Sequence, residues 1–418
     1  MAERQGTLRV KILMATHYFA SHGGGIEIVA GQLFREFASM QQDIVWMATD
    51  ASLPPATEAR ARTVGLRAFN FVEKKFGLPL PIPTLAALKK VRDEARMADV
   101  VIIHDCLYLT NIAAFLTAKL AKKPVIIVQH IGFVPYSSCW VRGLMKLANL
   151  LATRPMLGGA HQVVFISETI KRHFNTIRFR ATPELVFNGV DCENFRPLGA
   201  EQTKTELRKR FGLVPDRPVA LFVGRFVEKK GLSVLRRMAR MAPEYTWVFA
   251  GWGPLDPRTW NASNVHVFSD LHDRGLADLY RASDVFVLPS TGEGFPLVVQ
   301  EALACGLAVI CGADTATADP ALGRFVRGTE VQTGNDSTTA NTFLAAIAEV
   351  LASESKAPHG QYQRRQFALT NYSWRKAAGH YLAIASRFVP ESKGSGLATA
   401  GGCSPGGSSQ FSAPEAWL

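Results

Sequence analysis

The chain has 418 residues, 47% of them hydrophobic and 20% charged, with a formal net charge of +12. That length holds two cores of ordinary domain size, the composition is that of a globular protein, and no apolar run reaches the roughly 20 residues of a membrane-spanning helix. None of the six cysteines forms a C-x-x-C pair, which argues against a thiolate metal cluster or a disulfide framework and for reduced thiols in a cytoplasmic protein.

The charge is unevenly placed. Residues 1–190 carry 23 Lys and Arg against 13 Asp and Glu, and the remainder carries 24 against 22. A basic first half points to an anionic partner, or serves solubility alone.

Met1–Val10 lacks the apolar core of a secretion signal and leads into a strand pattern at Leu8–Ala15. Between that strand and the next helix stands His22-Gly23-Gly24-Gly25, a loop whose backbone can approach a ligand at a helix N-terminus. Ile26, Val29, Leu33, Phe37 and Met40 repeat at helical spacing. Apolar strands follow at Asp43–Ala48, Val100–His104, Pro124–Gln129, Gln162–Ile166 and Glu184–Phe187, the pattern of a parallel sheet covered on both faces. Trp140–Ala152 is apolar with a stripe of Arg142, Lys146 and Asn149, and reads as a core helix or as a helix lying in a membrane interface. Arg60, Arg62, Arg67, Lys74 and Lys75 lie in a loop-rich stretch of the same half.

Asn188-Gly189 marks a turn, after which a second strand–helix series begins. Strands are predicted at Val219–Val223, Thr246–Ala250, Val265–Phe268, Val285–Leu288 and Ala308–Cys311, and helices at Leu232–Met241, Leu276–Ala282 and Pro296–Cys305. Two consecutive series mean an α/β protein of two doubly wound domains. Tyr372–Phe388 reads as a closing helix, and residues 392–418 as a flexible Gly/Ser-rich tail.

Two motifs in the second half carry chemistry. Arg225, Lys229 and Lys230 sit between a strand and a helix start, where cations oppose the helix dipole unless an anion lies between them. Glu293 falls in the turn after the Val285–Leu288 strand, at the end of the sheet where such folds bind ligands, and Glu301 follows on an otherwise apolar helix. A carboxylate so placed needs a partner, and a ribose diol suits it.

Arg225 and Lys230, followed by Glu293 and Glu301 with seven residues between, resemble the signature of the retaining GT-B glycosyltransferases called group 1 or family four. Ile166-Ser167-Glu168, Asn188-Gly189-Val190-Asp191, Ala250-Gly251-Trp252-Gly253-Pro254 and Leu279-Tyr280-Arg281-Ala282-Ser283-Asp284 agree with it. The resemblance implies a GT-B fold with two Rossmann-like domains facing across a cleft: an acceptor domain 1–190, a nucleotide-sugar domain 191–370, and a closing helix 371–391 that crosses back. It implies transfer of a hexose from a UDP- or GDP-sugar to a glycan or lipid-linked acceptor, with retention and without cofactor or metal; the chain contains no D-x-D motif. Arg225 and Lys230 would clamp the diphosphate, with Gly24 and Gly25 closing over it. Glu293 would accept from the sugar hydroxyls, His130 matches a histidine that faces the sugar and acceptor, His104 matches a less constant position, backbone groups near Phe295, Pro296 and Leu297 would meet sugar and phosphate, and Glu301 would hold the ribose. The chain departs from the family at Trp252, where an acidic or polar residue is usual, and at Ser269-Asp270, where a glycine is common.

The basic first half suggests peripheral binding to an anionic leaflet of the cytoplasmic membrane. The rival expectations are a silent GT-B binding subunit, an epimerase or a phosphorylase on the same fold. A nicotinamide oxidoreductase lacks its G-x-G-x-x-G, and a nucleic-acid binder lacks an aromatic-rich binding motif.

Overall fold

The computed structural model describes residues 9–57, 60–71, 81–132, 139–199, 202–354 and 359–389. The expectations for Leu8, for Lys74 and Lys75, and for the tail 392–418 lie outside them. Two sheets form the framework. The first has seven parallel strands: β1 (Lys11–Ala15), β2 (Asp43–Thr49), β3 (Ala61–Leu66), β4 (Val100–His104), β5 (Val125–Gln129), β6 (Gln162–Phe165) and β7 (Glu184–Leu185), ordered β3-β2-β1-β4-β5-β6-β7. The second has six: β8 (Val219–Val223), β9 (Thr246–Ala250), β10 (Val265–Phe268), β11 (Val285–Leu288), β12 (Ala308–Gly312) and β13 (Val326–Thr329), ordered β10-β9-β8-β11-β12-β13.

Both sheets run outward in two directions from their first strand, so the chain order reverses between β1 and β4 and again between β8 and β11. Each reversal opens a crevice at the carboxyl ends of those strands. The strands earn their central places by composition: β4, β5, β8 and β11 are buried at every position, as continuous Val, Ile, Leu and Phe runs require when helices cover both faces.

Each sheet has its own apolar core. The chain passes between them at Asn188-Gly189-Val190, where Val190 N–H donates to Tyr372 O and Gln300 Nε2 donates to Asn188 O. The last helix, Trp374–Ser386, packs back into the first core through Trp374, Ala378, Tyr381 and Ile384. Further contacts cross between the lobes: Glu168 N–H donates to Ala318 O at 2.7 Å and Thr169 Oγ1 to Asp314 O at 2.9 Å.

Three expectations change. Arg62 does not lie in a loop. Arg62 belongs to β3 and is held by Glu94 at 2.5 Å, and Arg60 lies 3.6 Å from Asp43. Pro296 is the residue before the helix Leu297–Ala304, not its first member; its φ of −65° with ψ of 129° is extended. The segment Trp140–Ala152 is helical, as Cys139–Ala148 continuing into a π-turn at Asn149–Thr153, but it is not a core helix. Leu144, Leu147, Leu150 and Leu151 are each more than half exposed, whereas Thr153 and the Asn149 side-chain oxygen are buried.

Candidate active site

The strand ends of the two crevices hold nearly every residue singled out above. In the second domain, β8 runs into the loop Gly224–Gly231 and β11 into Pro289–Pro296. The two loops are tied together, since Thr291 N–H donates to Lys229 O at 3.0 Å. This brings Lys230 Nζ to 3.1 Å and Lys229 Nζ to 3.7 Å from Glu293 Oε1. Burial pushes the Glu293 carboxyl up, but Lys230 and then Lys229 outweigh it and hold it below the ordinary carboxylate range. Oε1 is buried and forms no aligned hydrogen bond, so its lone pairs face the cations at ion-pair range and remain able to accept a hydroxyl.

Lys229 carried no assigned role in the sequence reading, and its signal was the second lysine of the pair itself. Arg225 sits apart from this cluster. It is exposed at the lip of the same loop, its guanidinium 5.0 Å over the Trp252 ring. The loop around Trp252 is seated on Phe226, whose N–H donates to Trp252 O at 2.7 Å. Asp270 adopts φ 60°, the left-handed conformation for which the family's glycine is suited.

Like Leu109–Leu120 and Asp273–Ala282, the helices Gly25–Ser39, Leu232–Met241 and Leu297–Ala304 start without a side-chain cap. Uncapped N–H groups with a positive dipole end suit an anion. Phe295 contributes its backbone alone, because its ring is buried against Phe187 and Tyr372. Leu297 packs against the first-domain core. Glu301 lies on this last helix, where Tyr280 Oη donates to its Oε2 at 2.8 Å. Burial pushes the Glu301 carboxyl up to about 7 in spite of that bond. The Tyr280 partnership was not foreseen, since 21 residues and a strand separate the two.

In the first domain, His130 follows β5 and His104 ends β4, and adjacent strands place His104 Nδ1 2.9 Å from His130 Nε2. Both histidines are buried. Burial pushes His104 down to about 3; burial, then His104 and then His17, push His130 well below the usual imidazole range. Beside them lies Asp105, at φ 68°, its Oδ1 accepting from Cys106 N–H and Gln129 Nε2. His17 stacks on Tyr108 and its Nε2 stands 2.9 Å from Glu27 Oε1. Neither His17 nor Glu27 was singled out; a carboxylate in an otherwise apolar first helical turn was the available signal.

Gly24 and Gly25 occupy this domain's first helix start, with different demands. A Cβ on Gly24 would meet Glu27 Oε2 at 2.2 Å, and Glu27 is fixed by His17, so Gly24 is required by its own domain. A Cβ on Gly25 would meet nothing within 4 Å. The two domains touch at Gly294, where a Cβ would stand 2.5 Å from His130 O and 2.8 Å from Ile170 Cδ1. Glu293 is thus the neighbour of a residue pressed against His130. Among the described residues no group of three or more His, Cys, Asp or Glu side chains is arranged to hold a metal ion.

Residues 203–366 match the family model described as glycosyl transferases group 1, and residues 23–194 the model described as glycosyltransferase family 4. A putative teichuronic acid biosynthesis glycosyltransferase, TuaC of Bacillus subtilis, is 29% identical over 54% of this chain and 56% of its own length. The N,N'-diacetylbacillosaminyl-diphospho-undecaprenol alpha-1,3-N-acetylgalactosaminyltransferase of Campylobacter jejuni is 26% identical over 50% of this chain and 57% of its own. The chain thus spans little more than half the length of these relatives. Sucrose-phosphate synthase from Thermosynechococcus elongatus superposes with a TM-score of 0.70 at 18% identity, covering 91% of this chain and 99% of that one. HepE from Anabaena, in complex with UDP-glucose, gives 0.67 at 15%, covering 91% and 100%. At such identities the likeness is one of fold, and it is the GT-B fold.

Proposed function

From the premise that the chain belongs to the group 1 glycosyltransferases, we propose that it transfers a hexose from a UDP- or GDP-sugar to a hydroxyl of a glycan or lipid-linked acceptor, with retention of configuration. The observation that carries this reading is the convergence of Lys229, Lys230 and Glu293 at the second topological reversal, beside two uncapped helix starts. A diphosphate placed there meets two cations and the free N–H groups of both helices, while Glu293 accepts from the sugar hydroxyls. Charge growing on the departing diphosphate is met by groups already in place, which lowers the barrier without reorganisation. Arg225 reaches the outer phosphate from the lip, and Gly25 offers an open approach from the facing lobe. Glu301 accepts from the ribose. No step requires a bound metal or cofactor. The incoming hydroxyl attacks from the leaving-group face and yields its proton to the departing phosphate oxygen.

The acceptor side supports a lipid-linked substrate. The first domain is the basic half of the chain, and the leucines at 144, 147, 150 and 151 form an apolar face beside exposed Lys146. Such a face, with a lysine beside it, suits the headgroup boundary of an anionic leaflet. No described helix is long and apolar enough to cross a membrane. The bacillosaminyl-diphospho-undecaprenol transferase, named for a polyprenyl-linked acceptor, is in keeping with this.

The deciding experiment is a thermal-shift and calorimetric screen of UDP-, GDP-, ADP- and dTDP-hexoses. A donor at 100 times its Kd should add about 2.7 kcal/mol of stability. Absence of binding with all four sinks the reading, and turnover without acceptor or only with inorganic phosphate replaces it by an epimerase or phosphorylase.

A further inference from the structure

The two buried histidines of the first domain face each other through one nitrogen each, His104 Nδ1 and His130 Nε2, 2.9 Å apart. Neither is charged, because burial removes the imidazolium form of both. Exactly one hydrogen therefore lies between the two nitrogens, and it belongs to one ring or the other. The far nitrogen of His104 decides which. His104 Nε2 is buried and has no hydrogen-bond partner among the described residues. If the hydrogen between the rings sat on His130, neutral His104 would carry its own on Nε2, as a buried donor with nothing to receive it. Orphaned buried N–H groups are the rarest kind of unsatisfied polar group and forfeit the full cost of desolvation. If the hydrogen sits on His104 Nδ1, the orphan is only a lone pair.

We propose that His104 is a positioning residue that fixes His130 as the tautomer protonated on Nδ1, so that His130 presents a hydrogen-bond donor, and not a base, to the sugar. The inference rests on the donor site proposed above for the identity of that sugar, but the tautomer itself is a property of the empty protein. Backbone placement supports it. His104 is the last residue of a buried strand, and Asn111 Nδ2 donates to its carbonyl at 2.7 Å, so the ring is carried on a fixed support. His130 O is pressed against Gly294, which sets the height of its ring beside the Glu293 turn. The arrangement divides the labour at the sugar. Glu293, held ionised by Lys230 and Lys229, accepts from hydroxyls, while His130 donates to an oxygen. A base at His130 would compete with the departing phosphate for the acceptor's proton; a donor does not.

The test is nitrogen NMR of the full-length protein labelled with 15N-histidine, with His130 assigned by loss of its signals in His130→Gln. The expected spectrum shows His130 with a pyrrole-like Nδ1 and a pyridine-like Nε2, and His104 likewise with a pyrrole-like Nδ1 and a pyridine-like Nε2. A pyridine-like Nδ1 on His130 overturns the proposal. Two variants extend it. His104→Asn keeps an N–H near the position of Nδ1, and should retain both the tautomer and kcat. His104→Phe removes it, and should release His130 to its other tautomer and lower kcat on the order of 10- to 100-fold with little change in donor KM. Equal kcat losses in the Asn and Phe variants would mean a structural role only, and would also overturn it. Should the tautomer be as stated while no nucleotide sugar binds, the donor-site reading fails and the positioning role of His104 stands.

Discussion

The two domains repeat one strand order and invert its electrostatics. The second carries nearly balanced charge overall and concentrates ions at its crevice: Lys229 and Lys230 against an ionised Glu293. The first carries the chain's positive excess and sets at its crevice two histidines that burial holds uncharged. The difference teaches what each crevice is built to meet. Cations at helix starts are costly until a polyanion arrives, which is why we propose a diphosphate as the ligand of the second crevice. Uncharged imidazoles suit a ligand of hydroxyl groups, in keeping with the sugar proposed for the first.

The largest expected effect breaks the charged side of this contrast. Lys230 is little exposed and nearest to Glu293. Lys230→Ala should lower kcat/KM by on the order of 100- to 1000-fold, about 3–4 kcal/mol of transition-state stabilisation, with donor binding weakened in parallel. Arg225→Ala should lose less, because Arg225 is solvated at the lip and steadied only by Trp252. Near wild-type turnover in Lys230→Ala would end the clamp.

Next comes the contact between the two crevices. Gly294→Ala sets a methyl group 2.5 Å from His130 O, and neither backbone can retreat far while Glu168 and Thr169 tie the lobes together. Overpacking of this kind costs roughly 1–3 kcal/mol. Steady-state kinetics should show kcat falling about 10- to 100-fold with that strain, while nucleotide binding to the second domain alone is spared. An unaltered kcat would mean that catalysis does not need His130 and Glu293 in apposition.

Much of this was legible in the sequence, and unevenly so. Strands such as Val219–Val223 and Thr246–Ala250 could be read to the residue, because parallel strands buried on both faces are unbroken apolar runs between turn signals. The edge strand β3 was missed because Ala61–Leu66 is half-exposed and includes Arg62 and Gly65. The helix Asp336–Glu354 was also passed over: its buried face, Ala340, Phe343 and Ile347, is diluted by alanine and threonine. The Lys230–Glu293 meeting could be anticipated because each lies at the end of a switch-point strand. The His104–His130 pairing could not, since it depends on strand register between β4 and β5, which no local pattern states. The Trp140–Ala152 segment misled for a related reason. Composition reports that leucines are present, and only packing shows that they face outward.

A smaller effect separates the carboxylates by pH. In the second crevice Glu293 is held ionised, while Glu301, raised to about 7, titrates near neutrality. In the proposed function its ionised form accepts the ribose hydroxyls, and a nucleotide sugar should then bind more weakly as pH falls below 7, by up to about tenfold per unit. UDP-glucose is the suitable probe, because its phosphates do not titrate there. Without ligand the sign is opposite for stability. A carboxyl raised from 4.5 to about 7 on folding contributes stability below 4.5 that is lost as pH climbs through 7. Glu301→Gln should flatten both profiles, and a pH-independent affinity in the parent would remove Glu301 from the ribose.

The smallest effect on the folded protein tests the outer surface of the basic domain. Leu147 and Leu150 are more than half exposed on the face that the helix turns away from its core. Replacing both with Glu removes little packing, so the melting free energy should change by less than about 0.5 kcal/mol per site. Binding to phosphatidylglycerol vesicles should nonetheless be lost, since two apolar anchors become anions facing an anionic surface worth about 1 kcal/mol per nearby charge. The parent should co-sediment with such vesicles, less so with neutral ones and less at high salt. If the variant melts several degrees lower, these leucines are packed after all. If it co-sediments as the parent does, these leucines are not the surface that meets the vesicles, and the uncharged histidine pair and the positive excess of the first domain serve unrelated ends.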